Sequence, residues 1–339
     1  MTRQKVSRRT FIRLALLGGI GAGVAYIQHQ TAGFGMLNFV RWSLRGQLQW
    51  LRPPAIVGLG KCSTYDDDLV SYLRDLWGIS EMPDLRGKYI LVKPNLLDEV
   101  DNNIATTNPM VVGAVLDLLG ELGVRKVVVG DGSAFRRDTY SVVKSCGLSQ
   151  VLDSHDVPFI DLNYDELMPV KVRDGWIQNT DTLWLPRHVI EADFIISMPK
   201  LKAHHWAGVT LSLKNLLGVI PSSRYGWPKN IIHMNGINAT ILGLYQSLPP
   251  VVSIVDGIIG MEGNGPLFGK PVQHGLLAVG RDPLAVDTIC AQLMGFTIDA
   301  IPHLSGAASA GIGQARKIET RGISPDQLQK HYEAPPTLK

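Results

Sequence analysis

Tyr89-Ile-Leu-Val-Lys-Pro-Asn95 is the stretch that decides the fold, because it joins an apolar strand to a polar ending. Its four apolar or aromatic residues follow Gly87 and predict a short strand that is buried on both faces. The strand then ends in a lysine, a proline and an asparagine. The same combination recurs further along the chain and predicts one sheet with polar side chains at the ends of its strands.

Strand and helix patterns alternate after this stretch. Further strands are predicted at residues 126–129, 158–160, 193–196, 251–255 and 276–279. Asn108-Pro109 and Asp282-Pro283 each place a capping residue before a proline, which predicts helices that continue to about Leu122 and Met294. A third helix is predicted at residues 138–146. This alternation predicts an α/β fold, with a largely parallel sheet flanked by helices.

Four of the predicted strands end in charged or amide side chains beside proline or glycine. These endings are Lys93-Pro94-Asn95, Asp131-Gly132-Ser133, Ser197-Met198-Pro199-Lys200 and Asp256-Gly257. Ligands of open α/β sheets bind outside the carboxyl ends of the strands. The sequence therefore predicts a ligand cleft at those ends, in which Lys93 and Asn95 bind the ligand or cofactor.

The segment from Pro199 to Asn215 holds most of the candidate catalytic residues. Three interpretations stay open: a solvated basic loop, a metal site, or an anion site in which Lys200, Lys202 and Lys214 hold phosphate or carboxylate oxygens. Adjacent side chains of an extended segment point to opposite sides, so at most one of His204 and His205 is expected to be a metal ligand. We predict catalytic roles for Lys200, His204 and Lys214, with His204 as the acid or base, and ligand binding by Lys202 and Asn215.

Asp256 to Pro266 carries four glycines and is predicted to be a loop that follows a strand. Gly263 and Gly265 would let backbone amides approach a cofactor. Asp131, Asp256 and Glu262 would orient the ligand or hold a divalent cation. The alternative is a tight connection whose acids cap backbone N–H groups. Asp287, between apolar neighbours, is expected to be exposed or to be buried beside a lysine.

Charge is distributed unevenly along the 339 residues. Nine lysines and arginines precede Asp66, where no acidic residue occurs, and the rest of the chain has 24 basic against 30 acidic residues. A basic surface on the folded body is therefore not expected, which argues against nucleic acid as a partner. Three dispersed cysteines exclude a disulfide scaffold and an iron–sulfur cluster within this chain.

The first residues have the features of a targeting segment. Arg8-Arg9 is followed by Phe11-Ile12-Arg13 and then by an apolar stretch rich in glycine and alanine, which resembles a twin-arginine export signal. We expect export to the periplasm or an equivalent compartment, with the segment either cleaved or kept as a membrane anchor. The predicted organisation is a signal or anchor at 1–32, a linker and lead-in at 33–87, an α/β domain at 88–320 and a tail at 321–339. Residues 28–61 are either an amphipathic linker near a membrane surface or part of the fold.

The motifs of the body resemble those of the DUF362 family. The matching stretches run in the same order from Val92-Lys-Pro-Asn-Leu96, through Ser197-Met-Pro-Lys-Leu-Lys-Ala-His204 and Lys214-Asn-Leu-Leu-Gly218, to Gly280-Arg-Asp-Pro-Leu-Ala-Val-Asp287. Some members carry a ferredoxin-like iron–sulfur module, so the resemblance implies redox or cofactor work. Because this chain lacks the cysteines, such a role would need an iron–sulfur partner protein.

Two functions are compatible with these patterns. The first is an exported enzyme that acts on an anionic small molecule or cofactor through a cleft of lysine, histidine and aspartate. The second is a non-catalytic cofactor-binding or assembly factor at a membrane. The sequence identifies neither the reaction nor the cofactor.

Overall fold

A computed structural model describes residues 36–97, 104–133, 138–178, 180–227 and 229–338. Twelve strands lie in these ranges, ten of them in one sheet and two in a small separate hairpin. In chain order the strands are β1 (Ala55–Lys61), β2 (Tyr89–Pro94), β3 (Lys126–Asp131), β4 (Phe159–Asp161), β5 (Leu167–Lys171), β6 (Thr182–Pro186), β7 (Phe194–Met198), β8 (Lys200–His204), β9 (Gly208–Thr210), β10 (Val251–Asn264), β11 (Phe268–Gly280) and β12 (Ile318–Gly322).

The large sheet is mostly parallel. Its order is β12-β1-β11-β10-β7-β2-β3-β4, and β8 and β9 extend it beside β10. Strand β11 is antiparallel to both of its neighbours, whereas β7, β2, β3 and β4 pair in parallel. The predicted fold class is therefore confirmed: the protein is α/β, with a largely parallel sheet.

Twelve α-helices connect the strands in the described ranges and cover both faces of the sheet. They are α1 (Met36–Gln47), α2 (Leu69–Ile79), α3 (Pro109–Glu121), α4 (Thr139–Ser145), α5 (Leu148–Ser154), α6 (Arg187–Glu191), α7 (Ser212–Asn215), α8 (Ser222–Tyr225), α9 (Asn230–Asn235), α10 (Ile237–Ser247), α11 (Pro283–Leu293) and α12 (Pro302–Ala310). Short 3-10 helices follow α1 at Leu48–Leu51 and α7 at Leu216–Val219. No helix of the described residues is long and apolar enough to span a membrane.

The helix starts follow the predicted capping chemistry. The Asn108 side chain accepts a hydrogen bond from the Met110 amide at the start of α3, and the Asp282 side chain accepts two from the first turn of α11. A proline occupies the first turn of both helices. Because N–H groups in the first turn have no partner within the helix, the N–H that proline lacks is not needed there. These caps fix where the connections between strands turn back onto the sheet.

One segment differs from the sequence-based expectation. The glycine-rich stretch after Asp256 is not a loop, because β10 continues to Asn264 and pairs with β11 in a long hairpin. The region predicted as linker and lead-in contributes β1 and α2 to the fold, and α1 packs against α12. The predicted signal segment at 1–32 lies outside the described residues.

Candidate functional site

A cavity of about 590 Å³ opens at the carboxyl ends of β2 and β3. Strand β2 contributes Lys93 to it, and β3 contributes Asp131. His204 and His205 come from the end of β8 and the residue after it, Lys214 comes from the short helix α7, and Lys229 immediately precedes α9. Parallel strands place their carboxyl ends at one edge of the sheet, so residues far apart in sequence meet here.

A buried ion pair forms the floor of this cavity. Lys93 Nζ lies 2.6 Å from Asp131 Oδ1, and both side chains are almost fully buried. The lysine also donates to the Pro94 carbonyl at 2.9 Å and to Asn215 Oδ1 at 3.3 Å. Burial lowers the pKa of Lys93, and the charge of Asp131 opposes that shift. Since its three donors are used within the protein, Lys93 has none left for a ligand. This geometry gives Lys93 a structural role, and its role in ligand binding stays a prediction.

Glycine is required where the chain closes over this pair. A Cβ atom on Gly218 would lie 2.1 Å from Asp131 Oδ1 and 2.6 Å from Lys93 Nζ. Both distances are far shorter than any van der Waals contact, so a side chain here would displace the ion pair. Gly218 thus lets the 3-10 helix after α7 approach the two charged groups.

Lys214 presents an ammonium group to the cavity without a counter-ion. Its side chain makes no hydrogen bond or ion pair with any residue that the structure describes, although it is only partly exposed. Burial lowers its pKa to about 8; the like charge of Lys93 adds to the shift, and Asp131 opposes it. An uncompensated cation in a partly buried position is typical of a site that receives an anion.

Lys229 places a second ammonium group at the cavity. It donates to the carbonyl oxygens of Gly132, Leu217 and Gly218 at 3.3, 3.2 and 3.2 Å. No carboxylate of the described residues lies within ion-pair distance of it, and burial lowers its pKa to about 7. Because Lys93 and Asp131 neutralise each other, Lys214 and Lys229 give the cavity a net positive charge. The sequence analysis did not single out Lys229, which follows no recognisable motif.

His204 is held neutral with its proton on Nε2. Its Nδ1 accepts hydrogen bonds from the amides of Trp206 and Ala207 at 3.1 and 3.2 Å. Because amides only donate, that nitrogen carries a lone pair and the proton must be on Nε2. Burial, followed by the charge of Lys214, lowers its pKa far below the ordinary range. In this tautomer the Nε2–H of His204 can donate a hydrogen bond to a ligand, and its acid or base role stays a prediction.

His205 has the opposite tautomer when it is neutral. Its Nδ1 lies 2.8 Å from the carbonyl oxygen of Gly265, which can only accept, so the proton is on Nδ1 and Nε2 carries the lone pair. Strand β8 ends at His204, and the chain turns there. The two rings therefore stack at 5.0 Å between centroids instead of pointing to opposite sides as predicted. His205 is the exposed histidine of the cavity wall.

The remaining wall is partly polar and mostly apolar. The side-chain oxygen of Asn95 is buried and has no hydrogen-bond partner among the described residues, so it is available to a ligand. Asn215, by contrast, donates to Ser197 Oγ and accepts from Lys93, which makes it a support for the ion pair. Five aliphatic side chains and one exposed indole complete the lining: Leu96, Leu97, Leu217, Ile232, Ile237 and Trp206.

A buried carboxylate positions the helix that carries Lys214. Asp287, on α11, accepts hydrogen bonds from the amides of Ser212 and Leu213 at 2.7 and 2.9 Å. Burial raises its pKa to about 7, and these amides oppose the shift. Asp287 was expected to pair with a lysine if buried; its partners are instead the first amides of α7.

The structure keeps several predicted site residues away from the cavity lining. Lys200 forms a buried pair with Asp256 at 2.9 Å and donates to Tyr65 Oη at 2.6 Å. Lys202 is fully buried and donates to the Ala105 carbonyl, and burial lowers its pKa well below the ordinary value. Neither ammonium group lines the cavity, and the catalytic role of Lys200 and the ligand-binding role of Lys202 stay predictions.

The glycine-rich hairpin also serves another purpose than predicted. The Gly263 amide donates to the carbonyl of Glu333, and the Glu262 carboxylate accepts from the Glu333 amide at 2.9 Å, so both hold the C-terminal segment. Gly265 contributes to the site through its carbonyl, which orients His205. Neither glycine offers a backbone amide to the cavity.

The predicted cation site is not assembled. Asp131 pairs with Lys93, Asp256 pairs with Lys200, and Glu262 binds a backbone amide. Within the described ranges, no three histidine, cysteine, aspartate or glutamate side chains are arranged to hold a metal ion. Lysine charges already neutralise two of these carboxylates, and a divalent cation held by the three stays a prediction.

The chain is similar in sequence to a protein family and to a named relative, and it aligns with a solved structure. A family model described as "Domain of unknown function (DUF362)" matches residues 90–292, which is more than half of the chain. A thylakoid-associated protein of Synechocystis sp., sll1697, is 30% identical over 237 residues, covering 67% of this chain and 69% of the relative. A crystal structure of a protein from Thermotoga maritima aligns with a TM-score of 0.38 at 15% identity, over 66% of this chain and 56% of that one.

Proposed function

We propose that this chain, which belongs to the DUF362 family, is an enzyme that binds a small anionic molecule with an apolar portion and removes a proton from it. The observation that carries the proposal is Lys214, a cavity-lining cation with no counter-ion among the described residues. An anionic group on the ligand would supply that counter-ion. The aliphatic lining and the indole of Trp206 would cover the apolar portion.

His205 is the proposed general base. Its Nδ1 is committed to the Gly265 carbonyl, so its Nε2 lone pair is fixed in direction and available to accept a proton. The ammonium group of Lys214 would stabilise the negative charge that proton removal leaves on the ligand, and Lys229, whose three donors are bound to carbonyl oxygens, would contribute only through its charge. His204 is a neutral imidazole with its proton on Nε2, as its own hydrogen bonds require. It would donate from Nε2 to the ligand atom that carries the negative charge.

Native mass spectrometry and deuterium exchange test this proposal. We expect protein purified from its host to retain an anionic molecule, which mass spectrometry of the intact complex identifies by its added mass. Incubation of that molecule with protein in heavy water should then exchange one of its hydrogens. His205→Gln should lose the exchange and keep the binding, whereas His155→Gln, at a histidine paired with Asp117, should keep both. Exchange at the wild-type rate in His205→Gln would contradict the catalytic role.

A second candidate function is a non-catalytic binding or assembly factor at a membrane. The name of the Synechocystis relative, a thylakoid-associated protein, favours it. An assembly factor would bind the anionic molecule without exchanging its hydrogens. The exchange experiment therefore separates the two candidates.

The proposed location follows from the sequence of residues 1–35 and from the family resemblance. Arg8-Arg9 and the apolar stretch after Arg13 support export by the twin-arginine route to the periplasm or an equivalent compartment. An iron–sulfur partner protein remains part of the proposal on the strength of the resemblance. Fractionation of cells that express wild-type protein or an Arg8→Lys, Arg9→Lys variant tests export, because the variant should stay in the cytoplasm.

A further inference from the structure

Helix α1 and the 3-10 helix after it expose an apolar stripe. Leu44, Leu48, Trp50 and Leu51 are 54, 51, 60 and 61% exposed. The leucines are spaced by four and three residues, so they share one helical face. The opposite face is anchored to the body, since Trp42 is buried and Gln49 donates to the Ala308 carbonyl at 2.8 Å. The stripe therefore points outward from a helix that is fixed in place.

A basic groove of about 880 Å³ lies beside this stripe. Arg41, Arg45 and Arg173 line it, together with a single acidic side chain, Asp174. Asp174 pairs with Arg41 at 3.1 Å and with Arg45 at 2.6 Å. Arg173 is exposed and makes no hydrogen bond or ion pair with any described residue. Three guanidinium groups against one carboxylate leave the groove net positive.

The groove and the cavity of the candidate site lie at opposite edges of the sheet. The groove is lined by Pro250 and by Val251, the first residue of β10, so it lies at the amino ends of the parallel strands. The cavity is lined by residues at the carboxyl ends of β2 and β3. A surface that bound the groove would leave the mouth of the cavity in water.

We propose that this face, made of the stripe and the basic groove, docks on the surface of an anionic lipid bilayer. The leucines and Trp50 would enter the headgroup region, and the arginines would bind lipid phosphates. An apolar helical face flanked by arginines is typical of a helix that lies in the membrane interface. A second copy of the chain fits poorly, because the symmetric contact would oppose arginines to arginines.

The sequence up to Asp66 adds to the positive charge of this face. No aspartate or glutamate occurs before Asp66, and residues 14–27, upstream of α1, carry no charged side chain. Every ionisable side chain on α1 and on the 3-10 helix that follows it is basic. The inference is independent of the function proposed for the cavity, since the two sites share no residue.

Sedimentation of the full chain with vesicles tests the docking. We expect binding to vesicles of phosphatidylcholine with phosphatidylglycerol, and much weaker binding to phosphatidylcholine alone. The variant Leu44→Ser/Leu48→Ser/Leu51→Ser should bind the anionic vesicles at least about tenfold more weakly. Arg173→Gln should weaken binding about fivefold at low salt. A matched variant at exposed apolar residues elsewhere, Met110→Ser/Tyr164→Ser/Phe268→Ser, should bind like the wild type.

A fluorophore locates the contact independently of residues 1–35. An environment-sensitive dye attached to Leu48→Cys should shift to shorter wavelength when the full chain binds anionic vesicles, and a dye on Phe268→Cys should not. Cys62 and Cys290 are buried, and the half-buried Cys146 is replaced by serine in both labelled proteins so that it does not compete for the dye. Equal binding by the triple-leucine variant, or sedimentation without a shift at position 48, would overturn the proposal.

Discussion

The Nδ1 atom of His205 lies 2.8 Å from the carbonyl oxygen of Gly265, a residue sixty positions away on the long hairpin. This contact, together with the amides that bind His204 Nδ1, gives two adjacent histidines opposite tautomers. One imidazole is thereby prepared to accept a proton, and the other can only donate a hydrogen bond. The hairpin, which was expected to bind a cofactor, orients the ring of His205, the proposed base.

Nitrogen-15 NMR of the histidine rings tests this arrangement. We expect Nε2 of His204 to be protonated and Nε2 of His205 to be unprotonated in the neutral protein. His204 should also stay neutral when the pH is lowered through the ordinary histidine range, because burial lowers its pKa strongly. The same tautomer in both rings, or protonation of His204 near its ordinary pKa, would contradict the assignment.

Anion binding should weaken as the pH rises. The pKa is lowered to about 8 at Lys214 and to about 7 at Lys229 in the free protein, so the two ammonium groups lose their protons between about pH 6 and 9. An anion binds the protonated form, and each pH unit above the pKa should lower its affinity by up to about tenfold per group. Benzoate, whose charge is constant above pH 6, is a suitable probe for calorimetry.

Lys214→Arg supplies the control for this pH dependence. A guanidinium group stays protonated throughout the range, so the variant should lose less affinity above pH 8 than the wild type does. Identical profiles for the two proteins would show that Lys214 does not set the affinity.

Gly218→Ala should destabilise the fold. The added methyl group would occupy the space of Asp131 Oδ1 and Lys93 Nζ, and displacing a buried ion pair costs about 3–5 kcal/mol. Chemical denaturation measures the loss. Gly120→Ala, near the end of α3, is the matched control, because a methyl group there would meet no atom within 4 Å beyond the backbone of its own helix. That substitution should leave stability unchanged or raise it by up to about 1 kcal/mol.

The strand pattern predicted that polar side chains would meet at one edge of the sheet. It did not predict which lysine would pair with which aspartate. The endings at Lys93 and Asp131 were expected to meet because parallel strands finish together. Lys93 pairs with Asp131, 38 residues away, and Lys200 pairs with Asp256, 56 residues away. Which lysine has a counter-ion is therefore decided by contacts between distant parts of the chain. Nothing local distinguishes these lysines from Lys214, which has no such partner among the described residues.

The glycine-rich hairpin shows a second limit of local patterns. Four glycines in ten residues favour a loop, yet β10 continues through most of them because β11 offers a pairing partner. Gly260 is needed for packing, since a Cβ atom there would lie 2.2 Å from Tyr332 Oη. That requirement comes from a tyrosine more than seventy residues away. Local propensity could not reveal it, because tertiary packing decides the conformation here.

Asp287→Asn should weaken benzoate binding without removing a group that contacts the ligand. The carboxylate holds the Ser212 and Leu213 amides at the start of α7, and an amide side chain can accept from only one of them. Losing one such bond costs about 1.5–3 kcal/mol, and it would let the helix that carries Lys214 shift.

The pH dependence of the free energy of unfolding tests the role of the Asp287 carboxyl group separately from any overall loss of stability in Asp287→Asn. Burial raises the pKa of Asp287 to about 7 in the folded protein, so between about pH 4 and 7 the folded state holds a proton that the unfolded state releases. Stability from this group therefore falls as pH rises through that window. Asp287→Asn should lack this component, and denaturation curves at pH 5 and 7 measure it. If the change in stability between pH 5 and pH 7 were the same in Asp287→Asn as in the wild type, the role given to the carboxylate would be contradicted.

Calorimetric titration of benzoate at pH 6.5 into the wild type, Lys214→Met and Lys171→Met tests the central claim most directly. Lys171 is an exposed lysine on β5, far from the cavity lining, and its replacement removes the same charge. The account predicts that the wild type and Lys171→Met bind alike, while Lys214→Met loses binding at least about tenfold with an unchanged melting temperature. Equal affinity in all three proteins would contradict the assignment of this cavity as an anion site.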